Sequence, residues 1–338
     1  MLAERLTAQL LAGPPARDAV AVTERLLAVQ AQDQRGARLA IRARTEGCSA
    51  AAVDRALTED RSLVIDWLNR GTLHLVRRED HGWLHALTTP PLAAGIARRL
   101  AQLGVDPRGA ERGVATIERA LAREGPLTRS QLRERLDAAG VPTAGQALVH
   151  VLALASLRGV ALRGPMIGRD HAFALVRDWL GEPRPVERAA ALAELARRYL
   201  AGHGPAGDRD LAKWAGLPLR EARAGLAAIA SSLRRRDDGL VDLARRPPAA
   251  ALPPPRLLGS YEPVLLGWTS RALVVGSDER AVAANGLFRP FALLRGRAAG
   301  TWSIARGEVV LKPFRQLAVQ DAEALAADAR DVVRFLGL

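Results

Sequence analysis

A short unit that occurs twice constrains the fold of this chain more than any other feature of its sequence. Each copy begins with Gly-Pro, has a leucine seven positions later and reaches a Gly-x-Pro turn, over residues 125–142 and 204–218. Ser, Thr or Asp lies near the start of the first predicted helix, where its side-chain oxygen can accept hydrogen bonds from free backbone N–H groups. The pattern predicts two short helices joined by a tight turn, the helix-turn-helix arrangement.

A β-hairpin is predicted after each copy, and a third hairpin follows three predicted helices near residues 3–12, 18–30 and 49–59. The turns contain Gly-Pro, Asp-Gly or Asn-Arg-Gly, which favour tight reversals between short strands. The three predicted hairpins pair residues 63–67 with 72–76, 160–163 with 171–176, and 233–236 with 240–243. A helix-turn-helix followed by a hairpin is a winged helix, so we predict three in tandem. The alternative is a generic helical protein in which the Gly-Pro similarity arises by chance.

A proline-rich stretch over residues 247–255 marks a further boundary. Beyond it, strand signals dominate, with Arg306-Gly307 as a predicted hairpin tip, and the chain ends in a predicted helix over 321–335. The predicted strands cover residues 272–275, 291–294, 300–304 and 309–311. The fold class predicted is α+β, with a small β-rich C-terminal domain. The predicted domains are residues 1–110, 111–185, 186–252 and 256–338.

The charge of the chain indicates a polyanionic partner. There are 49 Lys and Arg residues against 36 Asp and Glu, a formal charge of +13, and only Lys213 and Lys312 are lysines. A genome rich in G and C explains part of the arginine content, but not the surplus over acid. Guanidinium groups bind phosphates through paired hydrogen bonds, which favours nucleic acid. A membrane surface is less favoured, because no amphipathic helix concentrates the basic residues.

Several function classes are excluded by what the sequence lacks. Cys48 is the only cysteine, which excludes an internal disulfide and a thiolate metal cluster. No apolar run reaches about 18 residues, and Glu4 stands where a signal peptide carries basic residues, so we expect a cytoplasmic protein. Phosphate-loop, dinucleotide, zinc-protease and nucleophile-elbow motifs are also missing. His81 and His85 have helical spacing but no third ligand nearby, so we predict neither metal nor cofactor.

The segment Gln30-Ala31-Gln32 is the strongest candidate for a catalytic site, and it follows an apolar predicted helix. Residues two apart do not share a helix face, but they share a side of an extended chain, and Gly36 is expected to help end the helix. Each glutamine amide carries an acceptor oxygen and a donor NH₂ group, so two of them can hold one water molecule. The other interpretation is that polar residues simply populate a helix end.

These residues, together with Arg70-Gly-Thr-Leu-His74, resemble the AlkZ/YcaQ-like family of bacterial DNA glycosylases. Further similar segments are Gly125-Pro-Leu-Thr128, Gln146-Ala-Leu-Val-His150, Gly204-Pro-Ala206, Trp214-Ala-Gly-Leu-Pro218, Leu258-Gly-Ser-Tyr261 and Gly300-Thr-Trp302. The resemblance implies three tandem winged helices and a C-terminal β domain, forming a C around duplex DNA. It also implies that Gln30 and Gln32 are catalytic. The YcaQ-type branch carries Asp at the second polar position, so Gln32 indicates the AlkZ branch, whose relatives confer self-resistance to DNA-alkylating antibiotics.

The implied substrate is double-stranded DNA carrying bulky N7-alkylguanine, including interstrand crosslinks. N7-alkylguanine already carries positive charge, so its departure needs no strong acid, and positioning a water molecule at C1′ is sufficient catalysis. Asp33 is a rival base for that water, with helix capping as its other role. Neither lysine lies near the motif, so a Schiff base is not expected and the enzyme is predicted to be monofunctional.

The residues predicted to contact DNA flank the motif and occupy the predicted wings. They are Arg35, Arg38, Arg42, Arg44, Arg70, His74, Arg234, Arg235, Arg236 and Arg306. For each arginine the alternative is a solvated surface charge, and for His74 it is a structural histidine. The hairpin Thr301–Glu308, with Arg306 at its tip, is predicted to probe the minor groove, and Trp302 is expected to be a core residue. A C-shaped clamp around DNA works as a single chain, so we expect a monomer.

Two competing functions are a DNA-binding regulator without catalysis and a protein that sequesters the free drug.

Overall fold

The protein is described by a computed structural model that covers residues 1–182, 185–276, 283–284 and 286–338. The chain forms two compact units. One contains Met1–Val53 and Ala189–Leu338, and the other contains Asp54–Arg188. Helix and sheet are mixed throughout, as the predicted fold class requires, and no helix among the described residues is long and apolar enough to cross a membrane.

The unit Asp54–Arg188 is built from helices packed beside an antiparallel sheet. Its helices are α4 Ala50–Thr58, α5 Arg78–Thr88, α6 Ala93–Gln102, α7 Pro107–Glu124, α8 Arg129–Ala138, α9 Ala147–Leu157 and α10 Val176–Leu180. Thr128 begins α8 with a capping box, because its hydroxyl accepts from the Gln131 N–H while the Gln131 side chain accepts from the Thr128 N–H. Leu132, Leu136, Leu148 and Leu152 are buried together, so apolar residues three and four apart bury one face of these helices.

Four strands of this unit pair in the order β3-β2-β4-β5, and both predicted hairpins are present. The strands are β2 Leu63–Leu68, β3 Thr72–Arg77, β4 Ala161–Ile167 and β5 Asp170–Leu175. β2 pairs with β3 from Leu63↔Arg77 to Leu68↔Thr72, and Arg163 of β4 pairs with Ile65 of β2. Gly164-Pro165, expected at the second turn, lies inside β4 at a register shift instead. The turn is Gly168-Arg169, because Gly168 takes the positive φ that the reversal requires.

The unit of residues 1–53 and 189–338 joins the N-terminal helices to the rest of the chain. Its helices are α1 Leu2–Ala8, α2 Ala19–Leu26, α3 Gln34–Arg42, α11 Arg188–His203, α12 Asp208–Ala215, α13 Leu219–Ala228, α14 Pro263–Leu266, α15 Ala272–Val275 and α16 Val319–Leu336. Its strands are β1 Val29–Gln30, β6 Leu233–Arg235, β7 Val241–Leu243, β8 Arg256–Leu258, β9 Ala283–Ala284, β10 Leu287–Phe288, β11 Phe291–Leu294, β12 Arg297–Ala305 and β13 Glu308–Pro313. β6 and β7 form the predicted third hairpin.

The C-terminal part contains a four-stranded antiparallel sheet in the order β13-β12-β11-β8. Arg306 and Gly307 have φ of 53° and 81° at the tip of the β12-β13 hairpin, as the sequence predicted for this turn. Trp302 is buried and donates from Nε1 to the Leu258 carbonyl oxygen at 2.9 Å, which confirms it as a core residue. The strand predicted over residues 272–275 was wrong. Ala272–Val275 forms the short helix α15, because a run of four apolar residues does not separate a strand from a buried helical turn.

Candidate active site

The Gln30-Ala31-Gln32 segment connects α2 to α3, with Gln30 at the end of a short strand and Gln32 in the bend before α3. Leu27 takes a φ of 65° and ends α2, and Val29 and Gln30 follow as strand β1. The chain is thus straight as far as Gln30 and bends at Gln32, and the two glutamine side chains still meet on one side of it.

A direct hydrogen bond joins the two amides. Nε2 of Gln30 donates to Oε1 of Gln32 at 2.5 Å. Gln30 is 6% exposed and Ala31 is buried, whereas Gln32 is exposed. One amide is thus fixed by the interior and holds the orientation of its partner at the surface. This arrangement can present a preset pair of polar groups to a small molecule such as water.

Asp33 begins helix α3. Its Oδ1 accepts from the Gly36 backbone N–H at 3.0 Å, which satisfies one of the free donors in the first turn. The capping role weighed against a catalytic base is therefore observed, although the cap lies at the start of a new helix and not at the end of the preceding one. The carboxylate still stands directly after Gln32 in the chain.

Gly36 has a different role from the one predicted. It lies inside the first turn of α3, and a Cβ at this position would come within 2.3 Å of the Ser260 carbonyl oxygen. Gly259 makes the reciprocal approach, because a Cβ there would lie 2.9 Å from the Gly36 Cα. Backbone therefore packs on backbone, and the segment Gly259-Ser260 fixes the start of the helix that directly follows the glutamines.

Arg42 and Arg44 lie in the interior, although both were predicted to contact phosphates. Arg42 forms ion pairs with Asp328 at 2.9 Å and Asp331 at 2.8 Å, and its Nη2 also donates to the Leu257 carbonyl oxygen. Burial disfavours its charge, but the hydrogen bonds and charges of the two carboxylates outweigh this effect and raise the pKa of Arg42. A guanidinium enclosed by carboxylates is not available to DNA.

Arg44 is fully enclosed. It pairs with Glu262 at 2.5 Å and donates to the Gln9 carbonyl oxygen and the Ala40 carbonyl oxygen. The side chains of Arg44 and Glu262 are both 0% exposed. Neither Arg42 nor Arg44 is therefore retained as a phosphate contact. Together they attach the C-terminal end of α3 to segments distant in sequence.

Arg35 and Arg38 differ in exposure on the same helix. Arg35 is exposed, as a phosphate contact requires. Arg38 is 7% exposed and donates to the Gln34 carbonyl oxygen at 3.0 Å. Burial of Arg38 argues against a direct role in binding DNA.

Arg70 and His74 belong to the β2-β3 hairpin of the unit Asp54–Arg188. Arg70 has a φ of 59° in the turn, and burial lowers its pKa to about 10, so it stays charged at neutral pH. His74 is buried, and burial together with the Arg70 charge lowers its pKa to about 3. A neutral ring whose Nδ1 lies 2.9 Å from the Thr72 carbonyl oxygen fits the structural alternative for His74 and not a charged phosphate contact.

The remaining predicted DNA contacts lie on two hairpins. Arg234 and Arg235 are exposed on strand β6, and Arg306 is exposed at the β12-β13 tip. Arg236 is tied down by ion pairs with Glu4 at 2.6 Å and Asp238 at 3.2 Å. Within the run Arg234–Arg236, therefore, Arg234 and Arg235 are the members without an ion pair to a described residue.

A polar network that the sequence did not reveal surrounds Asp66. Its carboxylate accepts from the Ser156 hydroxyl and lies 2.7 Å from Nε2 of His81, and all three residues are buried. His85 stacks on His81 with ring centroids 5.5 Å apart. These partners are 15 and 90 positions from Asp66, so spacing along the chain carries no signal of the contact. Among the described residues no group of three or more His, Cys, Asp or Glu could hold a metal ion.

Comparisons with known proteins agree with one another. The AlkZ-like DNA glycosylase family matches residues 23–335 of the chain. A similar curated protein is the interstrand DNA cross-link repair glycosylase of Streptomyces sahachiroi, 27% identical over 376 residues, which cover 100% of this chain and 96% of that protein. A similar solved structure is the Streptomyces sahachiroi DNA glycosylase AlkZ, with a TM-score of 0.79 and 27% identity over 100% of this chain and 96% of the other.

Proposed function

Because the chain belongs to the AlkZ-like DNA glycosylase family, we propose that it hydrolyses the N-glycosidic bond of bulky N7-alkylguanine adducts in double-stranded DNA. Family membership makes the chain a DNA glycosylase and disfavours the regulator without catalysis. To family membership we add, as proposals, the lesion class, the catalytic residues and the DNA contacts. The residues assigned to catalysis are Gln30 and Gln32.

The observation that carries this proposal is the hydrogen bond between the two amides. Gln30 uses one N–H to hold Oε1 of Gln32, so the direction of each amide dipole is set before any substrate arrives. A water molecule that donates to an amide oxygen is oriented with a lone pair directed away from the protein. Holding a nucleophile in this way removes part of the entropic barrier of the reaction.

Neutral amides suffice because the leaving group supplies its own driving force. In N7-alkylguanine the ring is cationic, and cleavage of the C1′–N9 bond returns the bonding electron pair to the base, which leaves neutral. Water adds its oxygen to C1′ and loses a proton to solvent, so an abasic site and a free base result. The two glutamines orient the water, and no strong general acid is needed.

Asp33 is assigned primarily to positioning. Its Oδ1 accepts from the Gly36 N–H, which aligns the first turn of α3 directly after Gln32. A carboxylate next to the water remains the rival base, and substitution by asparagine separates the two roles, because asparagine caps helices as well as aspartate does.

We assign DNA-backbone contacts to the exposed arginines and to the hairpin arginine with a burial-lowered pKa. These are Arg35, Arg70, Arg234, Arg235 and Arg306. An exposed guanidinium can form paired hydrogen bonds with a phosphate, and Arg70 keeps its charge at neutral pH. We also propose that the helix pairs and their hairpins are three winged helices, within the domain boundaries predicted from the sequence. We propose that the chain binds DNA as a C-shaped monomer and that the β12-β13 hairpin probes the minor groove.

Interstrand crosslinks are included in the proposed substrates. The Streptomyces sahachiroi relative is described as an interstrand DNA cross-link repair glycosylase. N7 of guanine faces the major groove, so a bulky or crosslinked adduct there resists rotation of the base into a pocket. Water delivered to the sugar from the other side avoids that rotation. Self-resistance to an alkylating antibiotic is the role that this chemistry fits.

The direct test incubates the purified chain with duplexes carrying N7-methylguanine, a bulky N7 adduct or an N7 crosslink. We expect release of the free alkylated base and strand breaks only after alkali treatment, which reveals abasic sites. Borohydride should trap no protein–DNA adduct, because no lysine attacks C1′. Binding to one promoter sequence without base release from any of the duplexes would contradict the proposal.

A further inference from the structure

Two arginines of the unit Asp54–Arg188 converge at one edge of its sheet. Arg163 lies on β4, opposite Phe173 of β5. Phe173 in turn exchanges backbone hydrogen bonds with Leu127, at 2.8 and 3.0 Å. Adjacent strands are about 4.8 Å apart, so this pairing places Leu127 about two strand spacings from Arg163, and α8 begins at Arg129, two residues beyond Leu127.

The Arg163 guanidinium has an incomplete set of partners. Its Nε is buried and makes no hydrogen bond to any described residue, and its Cζ lies 5.5 Å from the centroid of the Phe173 ring. Arg163 is therefore held by its aromatic neighbour, and the part of its side chain that reaches solvent is available to an anion. Phe173 stacks on Trp67 with centroids 6.4 Å apart, which gives the arginine a rigid aromatic support.

The charges around this pair are predominantly positive. Burial, together with the nearby Arg129 charge, lowers the pKa of Arg163 to about 10, and Asp170 partly offsets both effects. Arg163 therefore stays protonated at neutral pH. Arg129 is exposed, and it stands at the N-terminal end of a ten-residue helix, where backbone N–H groups favour an anion.

We propose that Arg129 and Arg163 together bind a phosphate of the DNA backbone. The oxyanion would accept from the guanidinium groups of Arg163 and Arg129 and separate two like charges. A planar guanidinium held against an aromatic ring presents two parallel donors, which suits a phosphodiester better than a halide or a carboxylate side chain. The proposal rests on DNA as the substrate, and it adds a phosphate contact distant in sequence from the glutamines.

The test measures binding of undamaged duplex DNA by the full-length chain at several salt concentrations. The variants are Arg163→Gln, Arg129→Gln and Arg163→Lys. The matched control is Arg135→Gln, which removes the same charge from α8 but takes an arginine already paired with Glu124 at 2.8 Å. Thermal unfolding of each variant is recorded, and Arg163→Gln should be no less stable than the parent, because it removes a charge that burial disfavours.

We expect Arg163→Gln and Arg129→Gln each to weaken DNA binding about tenfold and to lower the slope of log affinity against log salt by about 1. Arg163→Lys should retain the charge but recover only part of the affinity, since it lacks the planar fork. Arg135→Gln should match the parent. The loss should be equal for damaged and undamaged duplexes, because a phosphate contact carries no base information.

Parental affinity and salt slope in both Gln variants would overturn the proposal, and so would inorganic phosphate binding that depends on Arg163 without any change in DNA affinity. Arg129→Gln covers the case in which Arg163→Gln fails to fold. The outcome is separable from that of the proposed function, because binding is measured without base release. A chain that excises N7 adducts yet binds DNA independently of Arg129 and Arg163 would refute this inference alone.

Discussion

At the scale of single residues, burial separates the arginines that are open to a phosphate from the structural ones. Arg35, Arg42 and Arg44 belong to one basic run in the sequence, yet Arg35 is exposed whereas Arg42 and Arg44 are enclosed with carboxylates. Their partners, Asp328 and Glu262, are more than 200 positions away. Composition identifies the basic run but not its ion pairs, because those depend on tertiary contacts. The adjacent glutamines were predictable, since their interaction is local.

Asp33→Asn distinguishes a capping aspartate from a catalytic base. Asparagine retains the hydrogen bond from the Gly36 N–H, so stability and base release should stay close to parental, with less than about a tenfold loss of rate. Loss of a general base would cost about 10²–10⁴-fold. Asp33→Ala, the control, should destabilise the chain by about 1 kcal/mol through the lost cap. Single-turnover rates and thermal unfolding measure both effects, and a rate collapse in a stable Asp33→Asn protein would reassign the base.

His203 makes stability depend on pH. Burial is the main cause that lowers its pKa to about 3, against an ordinary value of 6.5. The unfolded chain therefore binds a proton at this site that the folded chain does not, and stability falls as the pH drops from about 6.5 towards about 3. Between pH 7.5 and 5 this histidine alone should cost about 2 kcal/mol.

His203→Phe should reduce that acid sensitivity. Phenylalanine retains a ring next to Tyr199 and Trp214, whose centroids lie 4.7 and 5.2 Å from that of His203, but it does not titrate. Urea unfolding at pH 7.5 and pH 5 provides the comparison. An unchanged difference between the two pH values in this variant would show that His203 is not neutral in the folded state.

At the scale of elements, helix α3 is the part that positions the glutamines. Its first turn is fixed by Asp33 and by the close approach of Gly36 to Ser260, and its last turn is held by Arg42 and Arg44. The sequence predicted most flanking elements, because Gly-Pro, Asp-Gly and Arg-Gly turns carry local signals. It misassigned Gly36 as a helix end, since a glycine needed for close backbone packing resembles a glycine needed for a positive φ. The Asp33 capping signal, followed by the helix formers Gln34 and Arg35, could have located the start of α3.

Gly36→Ala tests this positioning. The added methyl would meet the Ser260 carbonyl oxygen at 2.3 Å, so α3 or the opposing segment must shift. We expect a loss of about 1–3 kcal/mol of stability and a fall in the rate of base release that exceeds the loss of DNA affinity. The control is Gly82→Ala in α5, where a Cβ meets nothing within 4 Å and should stabilise the helix by about 0.5–1 kcal/mol. Equal effects of the two substitutions would contradict the packing role of Gly36.

At the scale of the whole molecule, the chain forms two compact units and carries a net charge of +13. This positive charge suits a polyanionic substrate such as DNA. Family and general activity could be predicted from the sequence, because the motifs occur in a characteristic order along nearly the whole chain, and the family match over residues 23–335 confirms them. The phosphate contacts could not be predicted, since the exposure of each arginine depends on packing. The Arg129–Arg163 pair shows this most clearly, because sequence patterns gave no reason to single out either residue.

The central claim is that two hydrogen-bonded amides deliver water to the sugar of a cationic nucleotide. The most direct test is the single-turnover release of N7-alkylguanine from duplex DNA by the parent, Gln30→Ala and Gln32→Ala, with DNA affinity measured in parallel. We predict that each substitution slows base release by about 100-fold or more while affinity changes only a few-fold, because water positioning is lost and phosphate contacts are not. Parental rates of base release in both variants would contradict the account.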